Sequence, residues 1–440
     1  MAYERLDNMK IIQLVPGSGN AFYCENCFRD TNLVMAMRGK GHEVAVVPLY
    51  LPIMSDNEHC KPDAPIFFGG INVYLQQKSS IFRKTPRWID KLFDFPVLLK
   101  WVGKKSGMTR AEELGDMTLS MLLGEEGNQA KEVKRLVDWL EFEGKPDLVQ
   151  FSNALLIGMA HEIKKRLKIP LICVLQDEDI WLDAMSASQS KLLYETISKR
   201  SEDIDAFITV SQYYKDLMCN KLDIPCERVH VVYNGIRAEN YLQSDLPSNP
   251  FVIGFLERQC KEKGLGVLAD SFIILKKNNR IPNVKLRLAG GMSPGDEPYV
   301  DSIKKKLKFA NVMDDVEFLP NLSGKSRTDF LKSLSVLSVP AEHKEAFGVY
   351  ITEAMASGVP VVQPNHGAFP ELLNITKGGI IYEPNEPQAL ANAIESLLLN
   401  PVQMRELGNQ GMNAVREKFT IELMAKQFLS IIENVANNYN

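Results

Sequence analysis

Short apolar runs alternate along this chain with stretches whose apolar residues recur at helical spacing. Residues 10–15 (KIIQLV) form one such run, followed by the turn-rich Pro16-Gly17-Ser18-Gly19-Asn20. A helical pattern carrying Leu33, Met37 and Arg38 then leads to Gly39, and 43–48 (EVAVVP) reads as a second strand. The alternation returns at 147–151 (DLVQF), passes through a helix at 160–166, and continues with 170–175 (PLICVL), 206–210 (AFITV) and 229–233 (VHVVY). Strands separated by helices predict parallel sheets with crossover helices.

The polar, Pro- and Ser-containing stretch 243–250 reads as a linker. Beyond it the pattern restarts at 251–255, 285–289, 316–319, 334–339 and 359–362. The expected architecture is therefore α/β, with two Rossmann-like domains (1–242 and 243–420) whose parallel sheets face each other across a cleft. A closing helix at 421–440 is free to pack back on either domain, the N-terminal one being the expected host. Ligands of such sheets gather at the carboxyl ends of the strands. Only 50–107 breaks the pattern, with bases and aromatics interleaved (Lys78, Arg83, Trp88, Lys91, Trp101, Lys105). Two readings stay open for it: a solvated insertion, or an acceptor-binding or membrane-surface element across 78–105.

Composition narrows the class without naming it. A chain of 440 residues, 45% hydrophobic and 24% charged, suits a globular protein of two or three domains. A net charge of −4 gives no reason to expect nucleic acid. The first residues lack the basic-then-apolar order of a secretory signal. No apolar run approaches the roughly 18 to 20 residues needed to span a bilayer. Seven dispersed cysteines argue against a disulfide framework, so the cytoplasm is the expected compartment, with peripheral contact at the inner membrane surface as an addition.

The densest chemical signal is 342–371 (EHKEAFGVYITEAMASGVPVVQPNHGAFPE). Glu345 falls in a loop after the expected strand 334–339, Gly348 permits a tight turn, and a helix should run from about 349 to 357 with Gly358 as its stop. The amides of Gly348, Val349 and Tyr350 would open that helix and carry partial positive charge, which suits a diphosphate. Glu353, just over one turn inside, could accept two hydrogen bonds from vicinal ribose hydroxyls. Taken singly, both glutamates read equally well as solvated charges.

The order of the whole string, Glu-x-Phe-Gly, then Glu-Ala-Met-Ala-Ser-Gly-Val-Pro-Val-Val, then Gly-x-x-Pro-Glu, closely resembles the signature of the retaining family 4 glycosyltransferases of the GT-B fold. The resemblance extends to Arg258 and Lys263, which match the family's Arg-x4-Lys pair and are thereby implied to bind the donor diphosphate and neutralise the leaving group. It also covers Val232-Tyr233-Asn234-Gly235-Ile236 as a hinge motif, Gly290-Gly291 as a strand-to-loop turn, and Leu319-Pro320 as a strand end whose backbone reads the nucleobase. Phe347 belongs to the same donor set. The likeness is strongest over 251–371 and weakest over 50–143.

Departures accompany it. The family's glycine-rich first loop is here Gly17-Ser18-Gly19-Asn20, lengthened by 21–26, and is still expected to approach the donor. Where many members have a His before an Asp, this chain has Gln176-Asp177-Glu178-Asp179. Of these, Gln176, Asp177 and Glu178 are, with Asn153, the expected sugar or acceptor side. Ala368 replaces a family glycine. Cys24 and Cys27 form a CxxC without the partners of a zinc site or the context of a redox pair.

The resemblance implies transfer of a sugar from a nucleoside diphosphate sugar, UDP-sugars being the default, to a saccharide, lipid-linked glycan or small-molecule hydroxyl. It implies retention at the anomeric carbon, no cofactor and no metal, with Glu345 orienting the sugar. A nucleotide-sugar epimerase or hydrolase, or a non-catalytic nucleotide-sugar-binding protein, are the alternatives that the residues leave open.

Overall fold

The computed structural model describes residues 8–16, 25–50, 67–68, 76–77, 111–293 and 295–439. Gly17, Gly19, Asn20 and Cys24 lie outside the described residues, as do the Cys27 side chain and the basic and aromatic side chains of 78–105.

Two six-stranded parallel sheets organise the chain. The first comprises β1 (Lys10–Val15), β2 (Glu43–Pro48), β3 (Leu148–Phe151), β4 (Leu171–Leu175), β5 (Ala206–Thr209) and β6 (Val229–Val231), in the spatial order β2-β1-β3-β4-β5-β6. The second comprises β7 (Phe251–Leu256), β8 (Val284–Ala289), β9 (Val316–Leu319), β10 (Val336–Leu337), β11 (Val361–Pro364) and β12 (Gly379–Tyr382), in the order β12-β11-β10-β7-β8-β9. The central strands read as near-continuous apolar runs because helices cover both faces of each sheet. β12 was not foreseen, since three of its four residues are only half-buried and its pattern is faint.

Both sheets reverse their winding direction once, and the crevice at such a point is where parallel sheets hold ligands. In the first sheet the reversal lies between β1 and β3; in the second it lies between β7 and β10. The loop after β7 carries Arg258 and Lys263, and the loop after β10 carries Glu345.

The chain passes between the sheets twice, side by side. Ile236 forms a parallel bridge with Thr420, and the Ile236 amide donates to the Phe419 carbonyl at 2.9 Å. A Cβ on Gly235 would lie 2.3 Å from the Thr420 carbonyl oxygen, so only glycine lets the two crossings approach this closely. The expected linker 243–250 is not a free connector. Its Ser244 is buried, donating its amide to Ser357 O at 2.8 Å and its hydroxyl to Leu334 O at 2.9 Å. The helix Ile421–Tyr439 buries Met424, Phe428 and Ile432 against Ile11, Leu33 and Met37 of the first sheet's layer.

Candidate functional site

Lys263 and Glu345 form the centre. Lys263 Nζ lies 2.6 Å from Glu345 Oε1, and His343 Nε2 lies 3.1 Å from the same oxygen. Burial pushes the Glu345 carboxyl up, but Lys263 and His343 outweigh it and hold the group at about 2. His343, for its part, is pulled down by burial and raised overall by Glu345. The site thus presents a fixed, buried carboxylate beside a cation at the carboxyl edge of the second sheet.

Arg258 is about one-third exposed and is steered by two acids: Glu262 lies 3.6 Å from Nη2 and Asp296 lies 3.5 Å from Nε. Cys260, Glu262 and Asp296 bring their donor atoms within 4.8 Å of one another among the described residues, with Arg258 lying against the two carboxylates. Arg258 also lines a shallow depression with Glu257, Ala289, Gly290, Gly291, Asn321 and Arg327. The loop ends behind this depression are pinned by Gln259, whose Nε2 donates to Gly290 O and Leu319 O, each at 2.9 Å. The Leu319 carbonyl, at the strand end whose backbone was expected to read a nucleobase, also accepts from the Gly290 amide and is occupied within the protein.

The helix Val349–Ala356 begins at Gly348, in the left-handed region at φ 91°. Phe347, placed in the donor set by the resemblance, has a buried side chain, as do Val349 and Tyr350, whose amides and not side chains were the expected donor contacts. The Phe347 ring packs against Tyr233 and Phe419, with centroids 6.4 and 6.1 Å away. What this segment offers a ligand is backbone at a helix N-terminus, where the peptide dipoles favour an anion.

Glu353 is buried and held by Arg327, which donates from Nε at 2.8 Å and pairs through Nη2 with the second oxygen. Tyr241 donates to Glu353 Oε1 at 2.8 Å. Arg327 therefore joins the Glu353 carboxylate to the depression that Arg258 lines. Neither Arg327 nor Gln259 was singled out from sequence, because Arg327 belongs to a stretch of ordinary polar composition and Gln259 is one of the unspecified positions of Arg-x4-Lys.

Across the cleft, the four residues expected on the acceptor side divide. Glu178 is a structural anchor: its oxygens accept from the Ala154 amide at 2.8 Å, the Gln176 amide at 2.6 Å and the Tyr214 hydroxyl at 2.9 Å. Burial nonetheless pushes it up to about 7. Gln176 is likewise committed, donating to Ser152 O at 2.9 Å and accepting from Arg29 at 3.0 Å. Asn153 caps a short helical turn by accepting from the Leu155 amide. Asp177 differs. It stands in the left-handed region at φ 62°, close enough to Glu345, Lys263 and His343 to feel their charges. Burial, then the Glu345 charge, pushes its carboxyl up to about 7. Asp177 is thus the residue of this group that the structure brings to the Lys263–Glu345 centre.

His366 is a structural residue, with Nε2 3.0 Å from Ala341 O and its ring against Phe369.

Comparison with known proteins agrees with this geometry. The family model of group 1 glycosyl transferases matches residues 237–414, and that of glycosyltransferase family 4 matches 121–240. An uncharacterized glycosyltransferase of Methanocaldococcus jannaschii is 27% identical over 238 residues, covering 51% of this chain and 58% of that protein. A phosphatidyl-myo-inositol mannosyltransferase of Mycobacterium leprae is 28% identical over 176 residues, covering 40% of this chain and 44% of that protein. The matched segment thus spans about half the length of these relatives. Among solved structures, Anabaena Alr3699/HepE in complex with UDP and glucose superposes with a TM-score of 0.69 at 18% identity, covering 97% of this chain and 99% of that one. By its two tandem family-model matches and its paired parallel sheets, the chain belongs to the family 4-like glycosyltransferases of the GT-B fold.

Proposed function

We propose that the protein transfers a sugar from a nucleoside diphosphate sugar, most simply a UDP-sugar, to an acceptor hydroxyl with retention at the anomeric carbon. The observation that carries this reading is the Lys263–Glu345 pair at the second sheet's winding reversal, with Arg258 on the same loop as Lys263 and Asp177 of the first sheet's layer close enough to feel the charges of the pair. A diphosphate placed between Arg258, Lys263 and the N-terminus of the helix Val349–Ala356 would meet two cations and a favourable dipole end. Charge growing on the leaving group is then stabilised by fixed protein groups, which is the role a metal plays elsewhere. The UDP and glucose held by the Anabaena neighbour support a uridine nucleotide as the first donor to try.

In this reading the bond from the anomeric carbon to the β-phosphate oxygen breaks, and the bond to the acceptor oxygen forms on the same face. The acceptor proton passes to the departing phosphate oxygen. Glu345, kept ionised by Lys263 and His343, orients the sugar hydroxyls, and the gain is one of placement. Asp177, protonated over the acidic range, stands where it can hydrogen-bond sugar or acceptor.

The test is a thermal-shift panel with UDP, GDP, ADP and their sugar nucleotides, with and without EDTA. A shift from one nucleotide that survives EDTA and is lost in Arg258→Ala supports the reading. No shift from any nucleotide, together with no turnover of any sugar nucleotide over a panel of acceptors, would overturn it.

A further inference from the structure

The Gly-x-x-Pro-Glu ending of the signature has no part in the donor chemistry described above, yet its glutamate spans the cleft. Glu371 lies in the first turn of the helix Phe369–Thr376, in the donor half of the molecule. Its carboxylate accepts from the Gln212 amide through Oε1 and from the Tyr213 amide through Oε2, each at 2.9 Å. Those amides open the helix Gln212–Leu222, which follows β5 of the first sheet. Tyr233 donates its hydroxyl to Glu371 Oε1 at 2.8 Å. One carboxylate thus occupies the positive ends of two helices, one on each side of the cleft.

Beside it runs a second tie. Ser211 N-caps the helix Gln212–Leu222 by accepting from the Tyr214 amide at 3.1 Å, and donates its own proton to Ala346 O at 2.6 Å. Ala346 directly follows Glu345. The Ala368 amide donates to Glu345 O at 3.0 Å, and Ala368 N-caps the helix that carries Glu371. Glu345's own carbonyl and the next one along are therefore fastened to groups that lie in, or lead to, the opposite half.

We infer that Glu371 and Ser211 are positioning residues that couple closure of the cleft to the placement of Glu345. Opening the cleft separates Glu371 from the Gln212 and Tyr213 amides and Ser211 from Ala346, and returns all of them to water. The exchange of protein partners for water makes the closed form only modestly favoured and so reversible. When the halves close, the Ala346 carbonyl is drawn to Ser211 and the Glu345 carboxylate is set beside Lys263. Small errors in such placement are expensive in rate, on the order of 100-fold for about 1 Å. This inference rests on the reading of Glu345 given under the proposed function, and its primary readout is chosen to need no turnover.

The experiment compares the wild-type chain with Glu371→Gln, Ser211→Ala and Tyr233→Phe, alone and with UDP. Hydrogen exchange is followed at the Gln212 and Tyr213 amides, small-angle scattering reports closure, and turnover is assayed with UDP-glucose over an acceptor panel. Glutamine keeps one carbonyl acceptor but turns an NH2 toward an amide donor. The expected result for Glu371→Gln is exchange at the two amides faster by about tenfold and a larger radius of gyration. UDP affinity should stay within about twofold and kcat should fall on the order of 100-fold, with the donor KM little changed. Ser211→Ala and Tyr233→Phe should move the same readouts in the same direction by less, and they carry the test if Glu371→Gln fails to fold. Unchanged exchange and scattering in all folded variants would overturn the inference. Absence of UDP binding and turnover in the wild type would instead count against the proposed function, while exchange and scattering would still decide the latch.

Discussion

Lys263 Nζ and Glu345 Oε1 stand 2.6 Å apart although 82 residues separate them, because they leave the adjacent strands β7 and β10 at the winding reversal. Glu345 is nearly inaccessible, and a buried carboxylate without a cation is strongly disfavoured. Its held-down carboxyl gives a stability contribution that is fully present above its usual value of 4.5 and is lost as pH falls through about 2. Removing the ammonium with Lys263→Met leaves His343 as the nearest cation and raises the Glu345 carboxyl. The acid-unfolding midpoint, followed by circular dichroism, should move to higher pH. An unchanged midpoint would mean that the pair is not what keeps Glu345 ionised.

Glu353 and Arg327 form the second buried pair, with the arginine 8% and the glutamate 1% exposed. Breaking such a pair from one side strands a charge, at a cost of about 3–5 kcal/mol, whereas replacing both partners is far milder. Arg327→Met should therefore lower the denaturant midpoint strongly, and Arg327→Met with Glu353→Leu should recover much of the loss. Each variant should also lose affinity for UDP if Glu353 takes the ribose hydroxyls. Isothermal titration checks the binding, and urea unfolding checks the cycle. Additive losses in the double variant would show that the two groups are energetically independent.

The parallel sheets were legible because strands buried on both faces must be near-continuous apolar runs, as β1 is, and the half-exposed edge strands β2 and β9 likewise fall on the bounds read from sequence. Glu345 and Lys263 were legible through motif and spacing. Arg327 was not, because nothing in its helix Gly324–Lys332 separates it from a solvated base, and its role arises only when that helix packs over Glu353, 26 residues away. Phe347 misled for the opposite reason. A motif marks a position as constrained without saying whether the constraint is a ligand or, as here, an aromatic contact with Tyr233 and Phe419. Glu178 belongs to the same class: its constraint is three protein donors rather than a sugar. Ser211 was invisible, since its partner Ala346 contributes only a carbonyl.

Asp177 gives the molecule a pH dependence of opposite sign to that of Glu345. Burial, then Glu345, pushes its carboxyl up from 3.8 to about 7, so the folded state prefers it protonated. The stability associated with that proton is fully present below about pH 3.8 and is lost as pH rises through about 7. Asp177→Asn keeps the shape and removes the charge. Its melting temperature should exceed that of the wild type at pH 8, and the difference should shrink to nothing near pH 4. Equal gains at both pH values would show that the aspartate is held by packing and not by charge. In the transfer reading, the same variant should flatten the alkaline limb of the rate profile.

Gly367 tests whether the loop that leads to Glu371 fixes Glu345. Its φ is +61°, and a Cβ there would lie 2.8 Å from both the amide nitrogen and the carbonyl oxygen of Glu345. Those atoms are backbone and cannot swing aside as a side-chain tip would, and the left-handed conformation is itself unfavourable for alanine. Gly367→Ala should cost about 1–3 kcal/mol of stability through strain, measured by urea unfolding. It should also displace the Glu345 backbone from the Ala368 amide, now 3.0 Å away, and so shift the carboxylate relative to Lys263. The expected kinetic signature is a lower kcat with donor binding largely retained, because Arg258 and the helix N-terminus at Gly348 are untouched. A variant with reduced stability and full kcat would show that the close approach at Gly367 serves the fold alone and that Glu345 finds its place without it.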